Sequence, residues 1–205
     1  TVTSDDGAHD VAITADAADK LSVSMGAGNV QVRVDNMAAT HTIAGGDGTD
    51  TLNTSAAITT TTGANITGFE TVAISGGVSV ALPLTTNTVA TLTIADSLGG
   101  TLTGLSAGGT VNLTTGGNAT VSNTTWTTGT ADALTVNVGA ATSSVAMLSN
   151  TLVTATGIET ATINNLQASS DTTARSVGVT SASLKTMNVV SSGTAAITIT
   201  GGGTL

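Results

Sequence analysis

Apolar and polar residues alternate almost one by one along this chain, in short runs that recur from end to end. "KLSVSM", "NVQVRV", "TVAIS", "ATLTIA", "GTVNLT", "LTVNV", "TATIN", "TMNVV" and "AAITIT" all follow the pattern. A period of two is that of a strand with one face buried. Gly, Asn, Ser and Asp separate the runs and mark tight turns. Helical periodicity over an ordinary helix length is absent, and "VAMLSNTLV", residues 145–153, is the nearest candidate helix.

Two segments read as copies, "TGFETVAI" at 67–74 and "TGIETATI" at 156–163. Each follows a stretch opened by Asp-x-Leu, Asp50-Thr51-Leu52 and Asp132-Ala133-Leu134, and Asp19-Lys20-Leu21 is a third such opener. "VATLTIADSLGGTLTGL" and "LKTMNVVSSGTAAITIT" share a plan of strand, small-residue turn, strand. Short strands repeated on a theme predict a solenoid, in which each rung buries its apolar face on the next. At roughly 20 residues per rung the chain holds about ten rungs. The two copies are expected at equivalent places in different rungs, with Phe69, Ile158, Val72, Ile74, Ala161 and Ile163 in the apolar layer. The expected fold is therefore all-β, a parallel β-solenoid of the β-roll or β-helix kind.

Composition agrees with thin layers. Of 205 residues 40% are apolar, which argues against disorder, yet only one Trp, one Phe and no Tyr are present. Val, Ile, Thr and Ser suit pleated, half-buried surfaces. The length is that of one domain, and the termini read as those of an excerpt from a longer protein. The absence of Cys excludes a disulfide framework and a thiolate metal site. No apolar run approaches the ~18 residues of a membrane span. Lys20, Arg33, Arg175 and Lys185 are the only basic residues, too few and too scattered to neutralise phosphates, so nucleic acid is a poor partner.

The net charge is −9, and the acids crowd the first part of the chain. Asp5, Asp6, Asp10, Asp16, Asp19, Asp35, Asp47 and Asp50 precede residue 51, and only Glu70, Asp96, Asp132, Glu159 and Asp171 follow it. Such a cluster repels itself, and a bound divalent cation would relieve it. Residues 1–60 are thus expected to form acidic, calcium-binding rungs, and residues 61–205 to continue the solenoid.

The stretch "GGDGTDTLN", residues 45–53, matches the nonapeptide G-G-x-G-x-D-x-U-x, where U is apolar. Gly45, Gly46 and Gly48 let the turn take unusual backbone angles and expose carbonyl oxygens. Asp50 supplies a carboxylate, and Leu52 anchors the next strand inward. Calcium takes about six to eight oxygens at roughly 2.3–2.6 Å and accepts such mixed ligands. One match makes half a site, because the ion lies between neighbouring turns. "TADAADKLS" offers Asp16, Asp19 and Leu21 at the places of Asp47, Asp50 and Leu52. "MGAGNVQVR" keeps Gly26, Gly28 and Val32 but has Val30 at the aspartate position. "SDDGAHD" could hold a metal through Asp5, Asp6, His9 and Asp10, or be a solvated loop. His9 and His41 read as surface or turn residues, and Trp126 and Phe69 as core or cap fillers. Glu70 and Glu159 read as structural, through a rung-end hydrogen bond or as calcium ligands.

In these motifs and in its Thr/Ala/Gly/Ser/Val-rich, cysteine-free rhythm, the chain resembles the RTX family, calcium-binding β-roll proteins exported by type I secretion. It is similar to RTX-type bacterial surface-layer (S-layer) proteins of the Caulobacter kind. The resemblance implies Ca2+ at Gly45, Gly46, Asp47, Gly48 and Asp50, with Asp16 and Asp19 as further ligands. It also implies a secreted, cell-surface location, a lattice of identical copies, and attachment to lipopolysaccharide through regions outside this sequence. The chain departs from a tandem RTX block in having one full nonapeptide.

Three classes of function compete: a lattice scaffold, an RTX-type adhesin or binding module, and a β-helix polysaccharide enzyme. Glycan chemistry calls for paired carboxylates in a cleft furnished with basic or aromatic side chains. This chain can hardly furnish one. The expectation is a non-enzymatic lattice protein.

Overall fold

The computed structural model describes residues 1–14, 16, 18–115, 117–123, 126, 128–139, 150–166, 175–191 and 197–202, and the alternating runs become three parallel sheets. A long sheet takes strands in chain order: β2 (Asp10–Ile13), β4 (Gln31–Val34), β6 (Thr51–Thr54), β8 (Thr71–Ile74) and β10 (Thr91–Ile94). It continues through β12 (Thr110–Leu113), β14 (Ala133–Val138), β16 (Thr160–Asn165) and β18 (Thr186–Ser191). Between these strands the chain visits a second layer. There β1 (Val2–Thr3), β3 (Ser22–Ser24), β5 (Thr42–Ala44) and β7 (Ile66–Thr67) form one sheet. In the other, β9 (Ser79–Ala81), β11 (Gly100–Thr103), β13 (Ala119–Ser122), β15 (Asn150–Ala155), β17 (Arg175–Thr180) and β19 (Ile197–Gly202) follow in order.

Every strand pairing among the described residues is parallel. Parallel neighbours need a crossover, and here the crossover is a strand of the other layer. Each circuit is one rung of a parallel β-solenoid. Thr51, Thr71 and Thr91 stand in register, so these rungs advance by 20 residues, as the sequence predicts. Thr110, Thr135, Thr162 and Asn188 are also in register, so later rungs take 25 to 27 residues. Strands of the long sheet lengthen from four residues at β12 to six at β14, and connections lengthen with them.

The copied segments occupy equivalent places, one entering β8 and the other β16. Phe69, Val72, Ile74, Ile158, Ala161 and Ile163 are all fully buried. Inward positions stack in columns, such as Val32, Leu52, Val72, Leu92, Val111 and Val136, all at 0% exposure. Burying each such side chain contributes roughly 1.5–3 kcal/mol. On the outer face Asn137 Nδ2 donates to Asn112 Oδ1 at 2.8 Å and Asn164 Nδ2 to Asn137 Oδ1 at 2.9 Å, an amide ladder climbing three rungs.

The second layer changes sheet near residue 60. Ile58 bridges to Val80 of β9, then the one-turn helix α1 (Thr60–Gly63) carries the chain back to β7. Thr59 caps that helix through Thr62. The candidate helix at 145–153 is corrected over its described part. Residues 150–153 belong to β15, where Thr151, Val153 and Ala155 are buried and Leu152 is exposed, a period of two. Residues 145–149 lie outside the described residues. Among the described residues no helix is long and apolar enough to cross a membrane.

Candidate metal centre

Turns that carry the chain from the second layer into the long sheet stack on one edge of the solenoid. Residues 4–9 lead into β2, residues 25–30 into β4, residues 45–50 into β6, and residues 68–70 into β8. Cross-rung hydrogen bonds tie them. Ala27 N–H donates to Asp6 Oδ1 at 3.1 Å, Asp47 N–H to the Gly26 carbonyl at 3.2 Å, and Gly45 N–H to the Thr67 carbonyl at 2.9 Å. The pairing of Val32 with Leu52 places Val30 one rung below Asp50, the correspondence read from "MGAGNVQVR".

Glycine is required here by close approach. A Cβ on Gly46, which has φ 98°, would lie 2.1 Å from the Gly26 carbonyl oxygen. A Cβ on Gly45 would lie 2.2 Å from the Gly68 carbonyl oxygen and 2.7 Å from Asp50 Oδ2. A main-chain oxygen of one rung and a carboxylate oxygen of the previous one thus converge on the side of Gly45 that has no side chain.

Asp50 sits at the centre of this edge with 0% exposure. Its Oδ1 accepts the Val30 N–H at 2.9 Å, and its Oδ2 is buried without any hydrogen-bond partner. Its own N–H donates to Glu70 Oε2 at 2.8 Å, and its carbonyl accepts Glu70 N–H at 3.2 Å and Thr71 N–H at 3.0 Å. Glu70 Oε1 accepts the Thr88 hydroxyl at 3.3 Å. Burial pushes the Asp50 carboxyl above the usual aspartate range, the Val30 hydrogen bond works against that, and the charges of Glu70 and Asp47 add to the rise. An ionised carboxylate with a dry, unpartnered oxygen is an unfavourable arrangement, one that a cation would complete.

The other expected ligands are divided between the two edges. Asp47 is exposed beside Asp50 on the same turn. Asp16 and Asp19 precede β3, so they lie on the opposite edge, where the chain leaves the long sheet. The structure does not bring them to Asp50. There Asp16 N–H donates to Asp19 Oδ2 at 3.0 Å, and the Asp19 carbonyl accepts the Thr40 hydroxyl at 2.8 Å. His41, expected at the surface or in a turn, is buried at 0% exposure. Its Nδ1 accepts Ala38 N–H at 3.2 Å, and its Nε2 lies 3.3 Å from the Asp16 carbonyl, so the ring bridges two turns. In "SDDGAHD", His9 Nε2 pairs with Asp5 Oδ1 at 2.7 Å on the surface, which together with Gly7 N–H holds the Asp5 carboxyl low.

Among the described residues no three His, Asp or Glu side chains form a group able to hold a metal by themselves. A cation at Asp50 would therefore need carbonyl oxygens for most of its shell. That donor set is hard oxygen throughout, which suits calcium better than zinc. The partner across the rung boundary is Glu70 with Gly68, rather than Asp16 or Asp19. The signal was present in the sequence as the 20-residue step from Asp50 to Glu70, equal to one rung. No family model, curated protein or solved structure matches this chain.

Proposed function

We propose that this chain is part of a calcium-stabilised structural solenoid of a bacterial surface layer, which assembles into a two-dimensional lattice on the cell exterior. The observation that carries the reading is the fully buried Asp50 carboxylate, whose Oδ2 has no partner inside a glycine turn of the RTX pattern. Gly45, Gly46 and Gly48 let the carbonyl oxygens of Gly68, Gly26 and Gly28 approach closely along that edge, and Asp47 adds negative charge beside it.

The scaffold role draws support from the strand faces. From β6 through β16 the long sheet contains no charged residue, and its outward positions are mostly Thr and Asn in register. Uncharged, regular faces let identical copies approach without repulsion. The acids Glu70 and Glu159 accept main-chain N–H groups, at Asp50 and Asp132, which favours a structural role over turnover of a substrate.

Electron microscopy of the purified chain in calcium chloride and in chelator tests the proposal. Ordered arrays in calcium and their loss in chelator are expected. A protein that stays monomeric in calcium at every concentration, yet binds glycans, would replace the lattice reading with the adhesin one.

A further inference from the structure

The clasp between Asp50 and Glu70 occurs twice. Asp132 N–H donates to Glu159 Oε2 at 2.8 Å, and the Asp132 carbonyl accepts Glu159 N–H at 3.0 Å and Thr160 N–H at 3.1 Å. These are the same bonds, atom for atom, as those between Asp50 and Glu70. The glycine two places before each glutamate is in the left-handed region in both, φ 72° at Gly68 and 84° at Gly157. Asp132 Oδ2, like Asp50 Oδ2, is buried and has no hydrogen-bond partner. Glu159 is only 6% exposed.

We propose that Asp132 and Glu159 form a second divalent-cation site, for calcium or an ion of similar size and hardness, built as the one at Asp50 and Glu70 is built. The proposal rests on the calcium reading of Asp50 for its choice of ion, but stands on its own geometry. The Glu159 carboxylate reaches across a rung boundary to the Asp132 main chain, and one oxygen of Asp132 faces neither water nor a donor. A Cβ on Gly129 would come within 1.7 Å of that oxygen, so a side chain there would displace it. A bound cation would complete such an oxygen.

The spacing strengthens the case. Asp50 and Glu70 are 20 residues apart, whereas Asp132 and Glu159 are 27 apart, yet the bonds coincide. Six-residue strands β14 and β15 stand in the longer rung where the four-residue β6 and two-residue β7 stand in the shorter one, and the acid pair is kept intact as a unit. Lys185 follows one rung on, where its N–H donates to the Glu159 carbonyl at 2.8 Å. Its side chain is exposed and, among the described residues, forms no ion pair with Glu159.

Calorimetric titration of the full chain with calcium chloride tests the site, using Asp132→Asn, Glu159→Gln and Asp50→Asn. Circular dichroism checks that each variant keeps its strand content. Hydrogen exchange on the unaltered chain, with and without calcium, needs no variant. The expected result is that Asp132→Asn and Glu159→Gln each remove one binding event, while Asp50→Asn removes a different one. Calcium should also slow exchange at residues 132–135 and 159–160. If Asp132→Asn and Glu159→Gln leave binding unchanged and calcium leaves exchange near residue 132 unmoved, the second site is overturned while Asp50 stands. If only Asp50→Asn leaves binding untouched, the Asp50 reading falls and the second site survives. No binding at all overturns both.

Discussion

Asp50 gives its main-chain N–H to Oε2 of Glu70 at 2.8 Å, and Glu70 gives its own N–H to the Asp50 carbonyl at 3.2 Å. The two residues face each other across a rung boundary, just before β6 and β8 begin. At that point the ladder of one strand has not yet supplied an acceptor for the Asp50 N–H. A carboxylate from the next rung supplies it. Val30 and Asp50 repeat the arrangement one rung earlier, where Asp50 Oδ1 accepts the Val30 N–H at 2.9 Å. Acids at this edge therefore hold rungs together first, and one oxygen remains for an ion.

Glu70→Ala should destabilise the protein by about 1–3 kcal/mol, because it leaves a buried N–H without an acceptor. Glu70→Gln keeps an acceptor oxygen and should cost less. Denaturant unfolding of the two variants checks this. Equal losses would show that the charge, and not the hydrogen bond, is what matters.

The raised Asp50 carboxyl fixes the sign of a pH effect in calcium-free buffer. Folding favours its protonated form, so the contribution is fully present below the ordinary aspartate range. It is lost as pH rises through the raised value in the folded state. Asp5 has the opposite sign, its contribution being lost as pH falls through its lowered value, but it is exposed and weakened by salt. Asp50→Asn should flatten the slope in chelator, and calcium should flatten it in the unaltered protein. Melting temperatures from pH 3 to pH 8, taken as roughly the carboxylate range and above, would reveal either. A slope identical in Asp50→Asn would assign it elsewhere.

Glycine at position 46 is tested against glycine at position 108. Both have positive φ, 98° and 73°, but a Cβ on Gly108 would meet nothing within 4 Å. Gly108→Ala should therefore cost about 1–2 kcal/mol, the backbone term alone. Gly46→Ala adds the collision with the Gly26 carbonyl and should cost clearly more. Thermal unfolding compares them, and equal shifts would mean the rungs part without resistance.

Much of this fold is visible in the alternation. Leu52, Val72 and Leu92 flank outward Thr and Asn in the sequence and stack inward in the structure, because a period of two can only be satisfied by strands. The pairing of "TGFET" with "TGIET" was legible for the same reason. What alternation cannot disclose is which layer a strand joins. Asp19-Lys20-Leu21 looks like Asp50-Thr51-Leu52, but it leads into β3 of the second layer, and so Asp16 and Asp19 fall on the far edge. His41 was hidden likewise, since only the stacking of residues 38–41 on the turn at Asp16 buries its ring. The lengthening of later rungs falls partly in the strands, four residues at β12 and six at β14, and partly in connections that carry no period of two.

Calcium calorimetry on the unaltered chain and on Asp50→Asn, followed by hydrogen exchange with and without chelator, bears most directly on the central claim. Extracellular modules hold calcium at about 10⁻⁴–10⁻³ M. At tenfold excess one site adds roughly 1.4 kcal/mol of stability. The account predicts a binding event lost in Asp50→Asn, and faster exchange in chelator at residues 45–51 and 70–71. Calcium binding of equal strength and stoichiometry in both proteins, with exchange at those residues unmoved by chelator, would contradict it and leave the glycine turn at residue 45 a turn and nothing more.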